Sequence, residues 1–184
     1  GEQVRTLASG RTDAGVHALG QVVSLRLVGD MSADVLCRGL NAVLPGDVAV
    51  LGAAEVPEHF HPIRDAVAKR YRYLIHDGPV REVFLRRYCW HYAHGRLDAA
   101  AMDRAAGALK GTHDFSSFET SGAERKSSVR TVNHLSVARG PDPWGRAGGE
   151  DWITLEIEAD GFLYNMVRAI VGTLVEVGRG ARPE

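Results

Sequence analysis

The chain holds only two cysteines in 184 residues, Cys37 and Cys89. They lie far apart, which excludes a disulfide framework and a Cys-x-x-Cys metal or redox motif, and points to a reducing, cytoplasmic setting. No run approaches the roughly 18 apolar residues of a membrane-spanning helix, and no basic, apolar leader is legible. An excess of positive charge is also missing, since 22 lysines and arginines face 23 aspartates and glutamates. A nucleic-acid surface would therefore have to come from local clustering of basic residues. Internal repeats and low-complexity tracts are absent. Gly10, Gly15 and Gly20 do not match G-x-G-x-x-G, so no nucleotide cofactor is expected. What remains is 45% hydrophobic content, enough for a real core.

Apolar periodicity alternates between strand and helix. Short β-like runs cover Val4–Ala8 and Gln21–Leu27. Ser32 reads as the N-cap of a helix carrying Val35, Leu36, Leu40, Val43 and Leu44 on one stripe, stopped by Pro45-Gly46-Asp47. Val48–Val56 and Arg70–His76 read as strands, the latter ended by Asp77-Gly78-Pro79. Asp98 caps a second helix with Met102, Ala105, Ala106 and Leu109 on one face and Gly111 as its stop. Val132–Ala138 and Trp152–Ala159 read as a hairpin pair around an exposed loop rich in Gly and Pro. A last helix is expected over Phe162–Val177. The class is α+β, with antiparallel strands carrying helices on one face. Two halves are expected, residues 1–78 and 79–184.

The most informative segment is Ser9-Gly10-Arg11-Thr12-Asp13-Ala14-Gly15-Val16-His17-Ala18, a polar loop between two strands that a two-residue turn could have joined. Such loops collect binding and catalytic residues. In extended backbone Arg11 and Asp13 point the same way and can pair, and the guanidinium would hold the carboxylate ionised, as a nucleophile requires. The plainer reading is that Thr12 and Asp13 cap a turn, with His17 orienting the loop.

Arg168 is the only charge between Asp160 and Glu176, in a segment apolar nearly all round and therefore expected to be buried. A buried guanidinium calls for an anion, either the Asp13 carboxylate or a substrate phosphate; otherwise the side chain snorkels to the surface. Tyr71 stands in Lys69-Arg70-Tyr71-Arg72-Tyr73, where alternation puts both tyrosines on one face and the basic residues on the other. A tyrosine beside arginines suits a flipped base with its phosphate, although core packing explains Tyr73 well. Arg64, Lys69, Arg70, Arg72, Arg125, Lys126 and Arg130 are candidates for a phosphate-contacting rim, each being by itself an ordinary solvated charge. His59-Phe60-His61 and His91-Tyr92-Ala93-His94 have spacings a metal can use, but neither pair has an acidic or cysteine partner at ligand spacing, so no metal is expected.

Gly10-Arg11-Thr12-Asp13-Ala14-Gly15-Val16-His17-Ala18 resembles the signature of the TruA family of tRNA pseudouridine synthases. Gly39-Leu40-Asn41-Ala42-Val43-Leu44-Pro45, Lys69–Tyr73, Asp114-Phe115-Ser116-Ser117-Phe118, Val129-Arg130-Thr131-Val132 and Phe162–Gly172 follow in that family's order. The resemblance implies two ferredoxin-like halves whose sheets meet at a central catalytic cleft. It implies conversion of uridine to pseudouridine in the tRNA anticodon stem-loop, by a homodimer and without a cofactor. Asp13 is then the nucleophile, with Arg11, Tyr71 and Arg168 expected close to it. Attack at the sugar C1′, attack at uracil C6 and a glycal route stay open. The family's Tyr-Asp-Gly and Trp-Gln motifs and its closing helix and strands have no counterpart, so the fold is expected to be truncated at both ends. Phe60-His61-Pro62-Ile63-Arg64-Asp65-Ala66 departs from the family by a proline that stiffens the loop. A noncatalytic RNA-binding module is the alternative. A nucleoside or glycoside hydrolase is a weaker one, because no second carboxylate is evident near Asp13.

Overall fold

Along Lys69–His76 and Trp152–Ala159 every second residue is apolar, so pairing the two strands lines Tyr71, Tyr73 and Ile75 up with Ile157, Leu155 and Ile153 on one face. The computed structural model describes residues 3–120, 127–143, 145 and 150–184 of the chain. It divides into two units, Gly1–Ala66 and Val67–Glu184. The sequence boundary after residue 78 differs from this division for a simple reason. The strand Lys69–His76 pairs along its full length with Trp152–Ala159, which ties it to the second unit.

In the first unit, β1 (Thr6–Ala8) pairs antiparallel with β2 (Val23–Leu25), and α1 (Ala33–Val43) follows. Ser32 caps α1 as the sequence predicts, its hydroxyl accepting from the Val35 amide at 3.4 Å. Val48–Val56 does not form a strand. No ladder partner reaches it among the described residues; instead the Asn41 carboxamide donates to the Val50 carbonyl at 2.9 Å and accepts from the Val50 amide at 2.7 Å. Only Pro62 is buried among the described residues of this unit. Besides the β1–β2 ladder, the Asn41 side chain ties α1 to the segment that follows it.

The second unit is built on a five-stranded sheet in the order β4 (Trp90–His91), β3 (Lys69–His76), β7 (Trp152–Ala159), β6 (Val129–Gly140), β5 (Gly111–Asp114). All neighbours are antiparallel except β3 and β4, which run parallel. The helices α2 (Ala99–Gly107) and α3 (Met166–Gly178) cover one face. Met102, Ala106, Met166, Ile170 and Leu174 from the helices pack with Ile75, Leu135, Ile153, Leu155 and Ile157 from the strands. Each fully buried Leu or Ile contributes about 1.5–3 kcal/mol. Along β6 the buried residues are Val132, Leu135 and Val137, which breaks strict alternation. A register shift between Val132 and His134 restores the phase and lets all three face the core.

Two boundaries differ from the sequence expectation. The second helix ends at Gly107, and Gly111, at φ +100°, opens β5 instead of stopping the helix. The last helix begins at Met166 and not at Phe162, because Asn165 adopts a left-handed conformation at φ 60°. Helical hydrogen bonding cannot run through such a residue.

Candidate active site

The Asp13 loop leaves β1 and returns to β2 in the first unit. Arg11, Thr12 and Asp13 are all exposed. The Val16 amide donates to the Asp13 carbonyl at 2.9 Å, and Gly15 supplies the φ of +78° that this tight turn needs. Below the turn, the Gln21 side chain bridges the two ends of the loop. Its Oε1 accepts from Ser9 Oγ at 2.7 Å, and its Nε2 donates to the Gly10 carbonyl at 2.7 Å. The expected Arg11–Asp13 ion pair is not among the ion pairs of the described residues. Residues 11–13 belong to no strand, and the chain turns directly after them at Ala14 and Gly15, so no ladder fixes the two side chains on a common face.

Arg64 lies on a separate turn of the first unit. Its guanidinium donates to the His59 carbonyl at 2.8 Å and pairs with Asp65 at 3.1 Å. His61 Nδ1 accepts from the Ile63 and Arg64 amides, and the Asp65 carboxylate accepts from the His61 amide at 2.8 Å. This last bond does most to hold the Asp65 carboxyl below its ordinary range. His61 is thus part of a turn lock. Among the described residues no group of three or more His, Cys, Asp or Glu side chains is placed to hold a metal ion.

In the second unit the candidate residues gather at one end of the sheet, where β3 and β6 begin and β7 ends. Tyr71 is half-buried and meets Phe162 edge-to-face, with ring centroids 5.0 Å apart. Arg130 donates to the Ser127 and Val129 carbonyls at 3.1 and 2.6 Å, and its side chain passes beside Gly161. Lys69, half-buried, opens β3 at the same end. Phe162, read from the sequence as part of the last helix, is instead a wall for Tyr71. Its position straight after a glycine at a strand end was the available signal.

Arg168 corrects an expectation, since its side chain is exposed and not buried. The apolar stripe of α3 buries Met166, Ile170, Val171, Leu174 and Val175, and Arg168 falls between those positions. The guanidinium lies near Tyr73: burial raises the Tyr73 phenol pKa, and the Arg168 charge opposes that rise. Arg168 also sits in the first turn of α3, a turn with no acidic residue and no side-chain cap. A cation there works against the helix dipole, which favours negative charge at this end.

Arg70 and Arg72 point from the other sheet face and are held in ion pairs. Arg70 reaches Glu158 at 2.7 Å, and Arg72 reaches Glu156 at 2.6 Å, each directly across the β3–β7 ladder. Exposed pairs of this kind contribute about 0–1 kcal/mol. Arg125 and Lys126 lie outside the described residues.

Residues 105–184 match the sequence family described as tRNA pseudouridine synthase. The tRNA pseudouridine synthase A of Thermoanaerobacter sp. (strain X514) is 44% identical over 180 residues, covering 98% of this chain and 70% of that protein. The chain belongs to the tRNA pseudouridine synthase A family. Its relatives of the same name in Acetivibrio thermocellus and Moorella thermoacetica are 45% and 46% identical, covering 98% and 97% of this chain and 70% and 69% of theirs. Membership makes the chain a pseudouridine-forming isomerase. The noncatalytic module and the hydrolase are set aside on that ground. No helix among the described residues is long and apolar enough to cross a membrane.

Proposed function

We propose that this protein isomerises uridine to pseudouridine in the anticodon stem-loop of tRNA, with Asp13 as the nucleophile. Similarity to synthases of that name over 98% of the chain carries the reading. The reaction cuts the N1–C1′ bond and joins C5 to C1′; the hydrogen on C5 leaves as a proton, and N1 ends protonated. Atoms balance without redox chemistry or an outside group, so the protein's task is to hold the base, position a nucleophile and exclude water. The Asp13 carboxylate, presented on an exposed loop between paired strands, suits attack at C1′, attack at C6 or assistance of a glycal. Tyr71, walled by Phe162, offers the stacking face for the flipped uracil, and Arg11 and Arg168 supply positive charge for the carboxylate or a phosphate.

Arg64, Lys69, Arg70, Arg72, Arg125, Lys126 and Arg130 are proposed to contact the RNA backbone, with Arg70 and Arg72 exchanging their glutamate partners for phosphate. The fold is read as two ferredoxin-like halves, and the working enzyme as a cytoplasmic homodimer. Asp13→Asn tests the central assignment. In a tritium-release assay on uridine-labelled tRNA it abolishes turnover, while circular dichroism and tRNA binding stay close to wild type. Undiminished turnover would overturn the nucleophile.

A further inference from the structure

We propose that Gln21 is the positioning residue that fixes the Asp13 loop for catalysis; this rests on the reading of Asp13 as the nucleophile. The β1–β2 ladder ends at Ala8 paired with Val23, with one further backbone bond from the Ser9 amide to the Val22 carbonyl at 2.8 Å. Beyond that rung the two chains part, and the Gly10 carbonyl finds its partner in a side chain. Gln21 Nε2 donates to it at 2.7 Å, while Gln21 Oε1 accepts from Ser9 Oγ at 2.7 Å and from the Val22 amide at 3.1 Å. One planar carboxamide thus acts as an added rung of the sheet, built from a side chain.

The chemistry of that rung is specific. It needs a donor and an acceptor on one group at the reach of a glutamine. Glutamate keeps the two accepting bonds but turns an acceptor toward the Gly10 carbonyl. Methionine keeps the length and loses all three bonds. The consequence for Asp13 follows from where the loop is tied. On its far side, the Val16-to-Asp13 turn fixes the backbone after the nucleophile. On its near side, Gly10 immediately precedes Arg11, and Gln21 alone holds the Gly10 carbonyl among the hydrogen bonds described. Arg11, Thr12 and Asp13 are exposed, so packing among the described residues adds little to these ties. A misplacement of about 1 Å at a reacting group costs on the order of a hundredfold in rate, a loss that falls on turnover and not on binding.

Full-chain Gln21→Glu, Gln21→Met and Ser9→Ala are compared with wild type in steady-state turnover of uridine-labelled tRNA. Gln21→Glu and Gln21→Met are expected to lower kcat about tenfold or more, with KM for tRNA little changed. Ser9→Ala leaves the Gly10 tie in place and keeps kcat near wild type. Wild-type kcat in Gln21→Glu would overturn the proposal. An equal loss in Ser9→Ala, or a fall confined to variants whose circular dichroism is altered, would overturn it too, since either shows general loosening of the hairpin. Asp13→Asn in the same assay separates the two ideas. An active Asp13→Asn removes the nucleophile reading, whereas an inactive Asp13→Asn beside a fully active Gln21→Glu removes only the positioning role.

Discussion

Replacing Arg139 with methionine should cost the second unit about 3 kcal/mol at pH 7, through the charge it leaves behind. The Asp77 side chain is fully buried and that of Arg139 is only 17% exposed. The guanidinium donates twice to the carboxylate, at 2.9 and 2.6 Å, and also to the Leu97 and Glu150 carbonyls at 2.7 and 2.6 Å. The Leu97 amide adds a third bond to Asp77 at 2.9 Å. Breaking one side of a buried pair costs about 3–5 kcal/mol, and the lower end applies because water reaches the edge of the arginine. Burial pushes the Asp77 pKa up, but the hydrogen bonds from Arg139 and Leu97 and the Arg139 charge outweigh it, leaving the carboxyl below its ordinary value. A depressed folded pKa contributes stability above the unfolded value of about 3.9 and loses it as pH falls through the folded pKa. In Arg139→Met the sign reverses: burial dominates, the folded pKa rises, and the penalty disappears on acidification as Asp77 takes up a proton. The gap between wild type and variant should therefore narrow steadily from pH 7 to below pH 4. Urea unfolding followed by fluorescence of the buried Trp152 measures it. Asp77→Asn combined with Arg139→Met should recover much of the loss, since the asparagine oxygen still accepts from Leu97. A loss under about 1 kcal/mol at pH 7, or a gap that stays constant on acidification, refutes the reasoning.

Two further outcomes follow from the backbone. Asn165→Val should lower stability by about 1–3 kcal/mol, because a β-branched side chain resists φ 60°, whereas Asn165→Gly should be tolerated; thermal melts of the two variants decide it. Gly178→Ala should cost about 1–3 kcal/mol, because its methyl would lie 2.7 Å from Met102 Sδ and 2.8 Å from its Cγ at the contact of α2 and α3; a melting temperature equal to wild type would contradict it.

The parts of the fold legible in the sequence were those where local chemistry and tertiary packing agree. Ser32 and Asp98 cap helices because their side chains satisfy amides three residues on, a purely local geometry. β3 and β7 declare themselves by alternation, since one face of each is buried and the other is wet. Val48–Val56 has the same apolar content and no ladder, because a strand exists only where another backbone meets it. Arg168 misled for a related reason. Composition counts apolar neighbours, but the helical phase, set by which residues α3 lays against the sheet, leaves the arginine between the buried positions.

For the candidate site the division is similar. The order of residue types determined the chemistry on offer: a carboxylate on a polar loop, a tyrosine among cations, a lone arginine in an apolar segment. Sequence order likewise carries the membership of the synthase family, because similarity in residues is itself a property of sequence. Tertiary structure decided which of these groups are committed elsewhere. Arg70 and Arg72 lie opposite Glu158 and Glu156 only because β3 and β7 pair in one register. Gln21 reaches the Gly10 carbonyl only because two strands bring residues 10 and 21 side by side. Hydrogen bonds and ion pairs depend on distances of a few ångströms between residues far apart in the chain, and those distances are set by register and packing, which local composition does not encode.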